Sequence, residues 1–358
     1  MVVEREDLFH CAGSVIRTFA FNSRSGGDTT LRDMEGYCIP VGTNGDWVAG
    51  HGGEIGENSY IRGMFYVFVI NGRKDKEFIL PEIQAQIAGL DIASEIYVTT
   101  AVGDATRFVR LYCSFKKDHE NLCFVACGGC GTANEVASAC AGFPKVQMAV
   151  MEYGFTNDFL KSYPGRNFKS VKALVEGEVR KTDIIKCNND YALNVANFGF
   201  DASVAYFGGL YSMMGKSRPF QKGIVKSILK ARRNHFVVKV DGRKVSRFLT
   251  LQCAAANGKY YGGEYCCAPE ADTEDGLIDF VFVYSCTLLS FLAILPHFKR
   301  GDFLQSAFCR RRMLYMKAKK VEITCPDLKY GCLDGEMVPS TKFVLEILPG
   351  AINLRLPR

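Results

Sequence analysis

The chain has 358 residues, 48% hydrophobic and 23% charged, with 44 Lys+Arg against 38 Asp+Glu for a formal charge of +6. These proportions exclude a disordered chain, a collagen-like repeat and a coiled coil, and the mild basicity lacks the clustered excess of a nucleic-acid-binding protein. Fifteen cysteines, irregularly spaced and odd in number, are too dilute for a disulfide scaffold and read as reduced thiols of a cytosolic protein. The length predicts two domains.

Residues 1–63 open acidic (Glu4, Glu6, Asp7) with no apolar run behind them, which argues against a secretory signal. They hold the only tryptophan, Trp47, show no hydrophobic period, and form an unassigned extension. From Met64 the text becomes regular. Met64 to Ile70 is an apolar strand running into Asn71-Gly72. Ile79, Ile83 and Ile87 recur every fourth position, as one helix face does. Ile96 to Thr99 is a second strand, and Ala105, Phe108, Val109 and Tyr112 mark a second helix. Leu122 to Cys127 and Val146 to Val150 complete the strand series. Strand–helix alternation predicts an α/β domain with a parallel sheet over 64–186, its strand-end loops gathered on one edge.

Beyond Lys186 short β-rich segments dominate: 191–195, 236–240, 248–254, 277–284, 320–324 and 342–348, separated by turn signals such as Asp241-Gly242. They predict a β-sandwich domain over 187–343, with the tail 344–358 returning to the first domain. The longest uncharged run, Phe280 to Phe298, reads as a buried strand and then a helix capped by Ser285 or Thr287 and stopped by Pro296. A transmembrane span is the less economical reading.

Four segments carry chemistry. Gly128-Gly129-Cys130-Gly131-Thr132-Ala133-Asn134 follows a buried strand and opens a helix. It is either a tight turn or a phosphate cradle, since glycines admit a phosphate close to the backbone and a helix start attracts anions. In Tyr153-Gly154-Phe155-Thr156-Asn157-Asp158, Thr156 or Asn157 suits a helix cap and Asp158 its first turn. Leu333-Asp334-Gly335-Glu336 is either a solvated hairpin or a carboxylate pair, one taking a proton while the other orients it or holds a metal. In Asp272-Thr273-Glu274-Asp275-Gly276-Leu277, acidic side chains crowd a glycine, a setting for Mg²⁺ or Ca²⁺.

These segments, in this order, together with Phe198-Gly199-Phe200-Asp201-Ala202 and Leu348-Pro349-Gly350-Ala351, resemble the diacylglycerol kinase-like bacterial lipid kinases, with sphingosine and NAD kinases more distant. The resemblance spans Met64 to the last residue. It implies an α/β nucleotide domain followed by a β-sandwich, with the active site between them. By resemblance ATP lies on Gly128 through Asn134, on Thr99 and on the Thr156-Asn157-Asp158 segment. Glu336 becomes the base on a lipid hydroxyl, with Asp334 beside it. A structural Mg²⁺ takes the Asp275 side chain and the carbonyls of Asp272 and Leu277. The implied partners are ATP, a lipid alcohol and a second copy of the chain, with no nucleic acid. The implied location is the inner face of the membrane.

The basic run Lys216, Arg218, Lys222, Lys226, Lys230, Arg232, Arg233, with Arg310-Arg311-Arg312, is either a solvated face or a transient contact with an anionic leaflet. Two departures from the family pattern matter. Cys130 stands where the family has aspartate, and Phe155 where it has threonine. A thiol is a poor substitute for a carboxylate near Mg²⁺, so a weak or inactive lipid- or nucleotide-binding protein is the alternative to an active kinase. Cys127 and Cys130 also spell Cys-x-x-Cys, which opens a redox-switch reading.

Overall fold

The computed structural model describes residues 37–41, 46–50, 63–115, 120–154, 157–214, 218–230, 233–245, 249–326 and 329–358. In the N-terminal extension, Tyr37–Val41 pairs antiparallel with Asp46–Gly50. Residues 1–36, 42–45 and 51–62, Phe155, Thr156 and the Lys216 and Arg232 positions lie outside the described residues.

Strand β1 (Phe65–Ile70) leads through α1 (Ile79–Ala88), β2 (Ala93–Val98) and α2 (Asp104–Phe115) to β3 (Leu122–Gly128). Then come α3 (Cys130–Cys140) and β4 (Gln147–Glu152). The four strands are parallel in the order β2-β1-β3-β4. Every residue of β3 is buried, because a parallel strand is covered on both faces and therefore reads as an unbroken apolar run. Alternate side chains serve opposite faces. Val67, Val69, Phe124 and Ala126 pack with α2 and α3 on one side. Tyr66, Phe68, Cys123, Val125 and Cys127 meet Ile79, Ile83 and Ile87 of α1 on the other.

The chain then turns β-rich. β5 (Glu178–Cys187) and β6 (Val195–Gly199) precede a pair of packed helices, α4 (Phe200–Met213) and α5 (Pro219–Lys230). Next come β7 (Val237–Val240), β8 (Thr250–Ala256), β9 (Ile278–Tyr284) and α6 (Leu288–Arg300). The last strands are β10 (Met313–Ala318), β11 (Lys320–Thr324), β12 (Tyr330–Leu333), β13 (Glu336–Pro339) and β14 (Lys342–Leu356). One antiparallel sheet runs β10-β9-β8-β6-β12-β13. Its inner face, with Phe198, Cys253, Phe280 and Phe282, packs against Val238, Val321, Ile323, Phe343 and Leu345 from a second layer. That second layer is the continuation of the first domain's sheet. β14 pairs parallel with β4 at Asn353 and Leu354, and antiparallel with β5 and β11. A register shift between Leu348 and Ile352 bends it midway.

The architecture is thus an α/β unit with a parallel sheet and a β-sandwich. Three local expectations change. The last strand extends well past Leu348, because its two halves serve two partners. Two helices interrupt the β-rich part. Pro296 does not stop α6: Thr287 caps the helix by accepting from Ser290 N, and the helix continues to Arg300 before Gly301, at φ 74, ends it. Pro296 removes only the bond to the Leu292 carbonyl, on a solvent-facing turn. Buried Phe291, Ile294 and Phe298 anchor both sides of it. No described helix is long and apolar enough to cross a membrane.

Candidate functional site

The site forms where β3 hands over to α3. Gly129 is extended at the helix N-cap (φ −96, ψ −167) and Cys130 begins the helix. The first backbone N–H groups of a helix have no partner within it, so they face whatever lies beyond the turn. A Cβ on Gly128 would stand 2.5 Å from Thr132 Oγ1, so only glycine lets the turn close. Thr132 Oγ1 in turn accepts from Asn71 Nδ2 at 3.1 Å. Gly72 N donates to Thr99 Oγ1 at 3.1 Å. A Cβ at Gly72 would fall 1.9 Å from the Thr99 carbonyl. The ends of β1, β2 and β3 are therefore tied into one rim through Asn71 and Gly72.

Thr99, Gly129, Gly131, Thr132 and Glu336 line a cleft of ≈ 910 Å³. Its basic members, Arg73, Lys76 and Lys169, and the aromatic Phe78 lie outside the four chemistry-bearing segments, and Tyr153 joins them in the lining. Lys76 Nζ is fixed on the Tyr153 carbonyl at 2.7 Å. Tyr153 OH is fixed on Glu82 at 2.9 Å.

Glu336 follows a two-residue hairpin turn in which Asp334 and Gly335 both take positive φ (48 and 96). Asp-Gly is the preferred pair for such a turn. The hairpin brings Glu336 over α3, with its Oε1 3.7 Å from where a Gly131 Cβ would be. Burial, aided by the neighbouring charges of Glu135, Asp334 and Asp190, pushes the Glu336 carboxyl up to about 7. Glu135 is itself held by the N–H groups of Gly103 and Ala105 at 2.9 and 3.0 Å. It thus caps α2 while facing the cleft.

The hairpin carboxylates are not a solvated pair. Asp334 points inward and accepts from the backbone N–H groups of Asn194 (3.0 Å) and Val195 (2.8 Å). Burial outweighs these bonds and raises its carboxyl to about 6. Asp334 is a latch on the 194–195 segment, and only Glu336 reaches the cleft.

Other expected contacts turn to structural ties. Asn134 donates to the Tyr191 carbonyl (3.1 Å) and accepts from Leu193 N (3.0 Å), so both ends of its side chain are spent away from the cleft. Asn157 caps no helix with its side chain. It accepts from Gly154 N (2.9 Å) and donates to the Gly128 carbonyl (3.1 Å), bracing the glycine turn from behind. Asp158 pairs with Lys161 (2.6 Å) and accepts from Gly263 N (3.0 Å), joining the two domains. Cys130 and Ala133 line not the cleft but a space of ≈ 10 Å³ beside Asp334. Cys127 faces α1 on the other side of the sheet from α3, and burial pushes its thiol well up. The Cys-x-x-Cys spacing therefore does not form a facing pair.

The acidic turn carries its own cation. Lys317 Nζ donates to Asp275 Oδ2 (2.7 Å), Asp279 Oδ2 (3.2 Å) and the Glu270 carbonyl (3.1 Å). The second Asp275 oxygen accepts from Leu277 N (2.9 Å), and Asp272 accepts from Glu274 N (3.0 Å). Among the described residues no group of three or more His, Cys, Asp and Glu is placed to hold a metal. A Mg²⁺ on Asp272, Asp275 and Leu277 does not fit this arrangement, because an ammonium already sits on the carboxylate it needs.

Glycine turn, helix start and opposed carboxylate meet at the junction of a parallel sheet and a β-sandwich. The comparisons agree in both halves. Residues 66–187 match the diacylglycerol kinase catalytic domain, and residues 194–356 match the YegS C-terminal NAD kinase beta sandwich-like domain. The chain belongs to the diacylglycerol kinase-like family of lipid kinases. It is 28% identical to a protein of Pectobacterium atrosepticum named "Probable lipid kinase YegS-like", over 81% of this chain and 95% of that one. It is 27% identical to a diacylglycerol kinase of Staphylococcus carnosus, over 74% and 85%. A diacylglycerol kinase structure from Bacillus anthracis shares the fold with a TM-score of 0.62 at 22% identity, covering 82% of this chain and 96% of that one.

Proposed function

We propose that the chain is an ATP-dependent lipid kinase that moves the γ-phosphoryl group onto the hydroxyl of a membrane lipid such as diacylglycerol. One observation carries this reading: the Glu336 carboxylate, raised to about 7, is posed over the start of α3 at the cleft. ATP is taken as its magnesium complex. The N–H groups at the start of α3 and the Thr132 hydroxyl cradle its phosphates, and Arg73, Lys76 and Lys169 supply positive charge along the cleft. The lipid hydroxyl oxygen bonds to the γ-phosphorus as the bond to ADP breaks, and its proton passes to Glu336. A base near neutrality combines a deprotonated form with useful proton affinity. Lys222 is exposed beside Ile224 (36%) and Val225 (60%) on α5, a mixture that would suit an anionic leaflet.

The test is γ-labelled ATP with Mg²⁺ and a panel of lipid alcohols in mixed micelles. Labelled lipid is expected from at least one alcohol, at a rate that climbs as pH rises through about 7. No labelled lipid from folded protein would overturn the reading.

The placement of Cys130 bears on the inactive alternative. Cys130 lines the small space that Asp334 also lines and is absent from the lining of the cleft. Cys130→Ala is therefore expected to keep the rate within about threefold, under 1 kcal/mol of barrier. A gain above about tenfold in Cys130→Asp, more than ~1.4 kcal/mol of barrier, would instead identify the native turn as impaired.

A further inference from the structure

The acidic turn at Asp272–Leu277 departs from the family expectation in its chemistry, and the departure is built from residues distant in the chain. An ammonium group has three N–H donors and no acceptor. Lys317 Nζ finds three oxygens: one from Asp275, one from Asp279 and the carbonyl of Glu270, at 2.7, 3.2 and 3.1 Å. Its hydrogen-bonding capacity is filled. The acceptors are equally committed. The side chain of Asp279 is fully buried and its other oxygen accepts from Tyr315 OH at 2.5 Å. Tyr315 OH accepts in turn from Glu270 N at 3.2 Å. The remaining Asp275 oxygen holds Leu277 N. Asp183, the buried carboxylate next to the turn, accepts from Gly276 N and Gly350 N, both at 2.7 Å. It thereby fastens the turn to the bend of β14.

We propose that the Lys317 ammonium is the resident cation of this turn, so that the chain holds its sandwich against the nucleotide domain without the structural divalent ion its family resemblance calls for. The geometry discriminates between the two cations. Mg²⁺ demands near-octahedral oxygen donors at about 2.0–2.1 Å, whereas the oxygens around Lys317 stand at hydrogen-bond distance and are shared with N–H and O–H donors. A divalent ion on Asp275 would also face a positive charge that bonds the same carboxylate at 2.7 Å. One lysine, two carboxylates and a carbonyl form a closed set in which adding a cation requires evicting another.

The test is thermal unfolding of the full chain, without nucleotide, in chelator or in excess Mg²⁺, read by circular dichroism. The native chain is expected to unfold at the same temperature in both, within about 1 °C, as a domain whose stability gains nothing from a ligand does. A fall above about 5 °C in chelator would overturn the proposal. Lys317→Ala, which leaves a buried carboxylate uncompensated, is expected to lower the midpoint by roughly 5–15 °C in chelator. Mg²⁺ or Ca²⁺ should then restore at least about half of that loss, because the vacated oxygens become a divalent set. A Lys317→Ala chain as stable as the native one in chelator would also overturn it. Lys317→Arg, which keeps the charge, should remain indifferent to chelator. Should Lys317→Ala not fold, Mn²⁺ binding to the native chain by paramagnetic resonance decides. No ion retained at the turn is the expected result, and one ion per chain, lost in Asp275→Asn, is the contrary one.

Discussion

Glu336→Gln is expected to lower kcat by about 10²–10⁴-fold, the usual contribution of a well-placed base, while making the protein more stable above neutrality. The two effects share a cause. The Glu336 carboxyl is pushed up to about 7 by burial and by Glu135, Asp334 and Asp190, so the folded state favours its protonated form. Stability associated with that proton is fully present below the ordinary carboxylate range and is lost as pH rises through about 7. Glutamine is neutral throughout and escapes the loss. Unfolding midpoints of the two proteins should therefore coincide near pH 4 and diverge, in favour of the variant, between about pH 5 and 8. Kinetics on the same samples separate the effects: a variant that unfolds earlier than the native chain at pH 8 would assign Glu336 to the framework.

Asp334→Ala should behave in the opposite manner. Its carboxylate satisfies the N–H groups of Asn194 and Val195. Removing it leaves two inward-facing donors without their acceptor, at about 1–3 kcal/mol for such a loss. Alanine must also occupy the left-handed conformation at φ 48, which adds about 1 kcal/mol. A total near 3 kcal/mol is expected in urea unfolding. Activity should fall as well, because the same turn aims Glu336. Asp334→Asn keeps an acceptor oxygen and a residue at ease with positive φ, and should regain part of both. Full activity with normal stability in Asp334→Ala would remove the latch from the account.

Much of the first domain could be read from the residues because its signals are local. Ile79, Ile83 and Ile87 lie on one face of α1 and all three are buried, and the unbroken apolar run of β3 is what a doubly covered parallel strand requires. The turns at Gly128 and Asp334-Gly335 were likewise visible, since each is dictated by a few adjacent residues. Legibility failed where function depends on distant partners. The motif position of Asn134 implies a nucleotide contact, whereas its side chain bonds backbone 57 and 59 residues away. Asp104, buried on the Tyr97 hydroxyl and paired with Arg107, resembles any exposed helix-start acid in the text. Lys317 meets its two carboxylates across 42 and 38 positions. At Pro296 the converse holds: a strong local signal is overridden by three buried anchors.

The bent strand β14 also sets an order of events during synthesis. β4 has β3 on one side, and on the other it waits for Asn353 and Leu354. Arg355 bonds Gln147 from 208 positions downstream. A nascent chain can assemble the helices and strands around the glycine turn early, but it emerges from the ribosome with a sheet edge exposed. Unpaired edges recruit other strands. The interval between translation of residues 152 and 353 is therefore the period when this protein is most open to misassociation, and when a chaperone would do most for its yield.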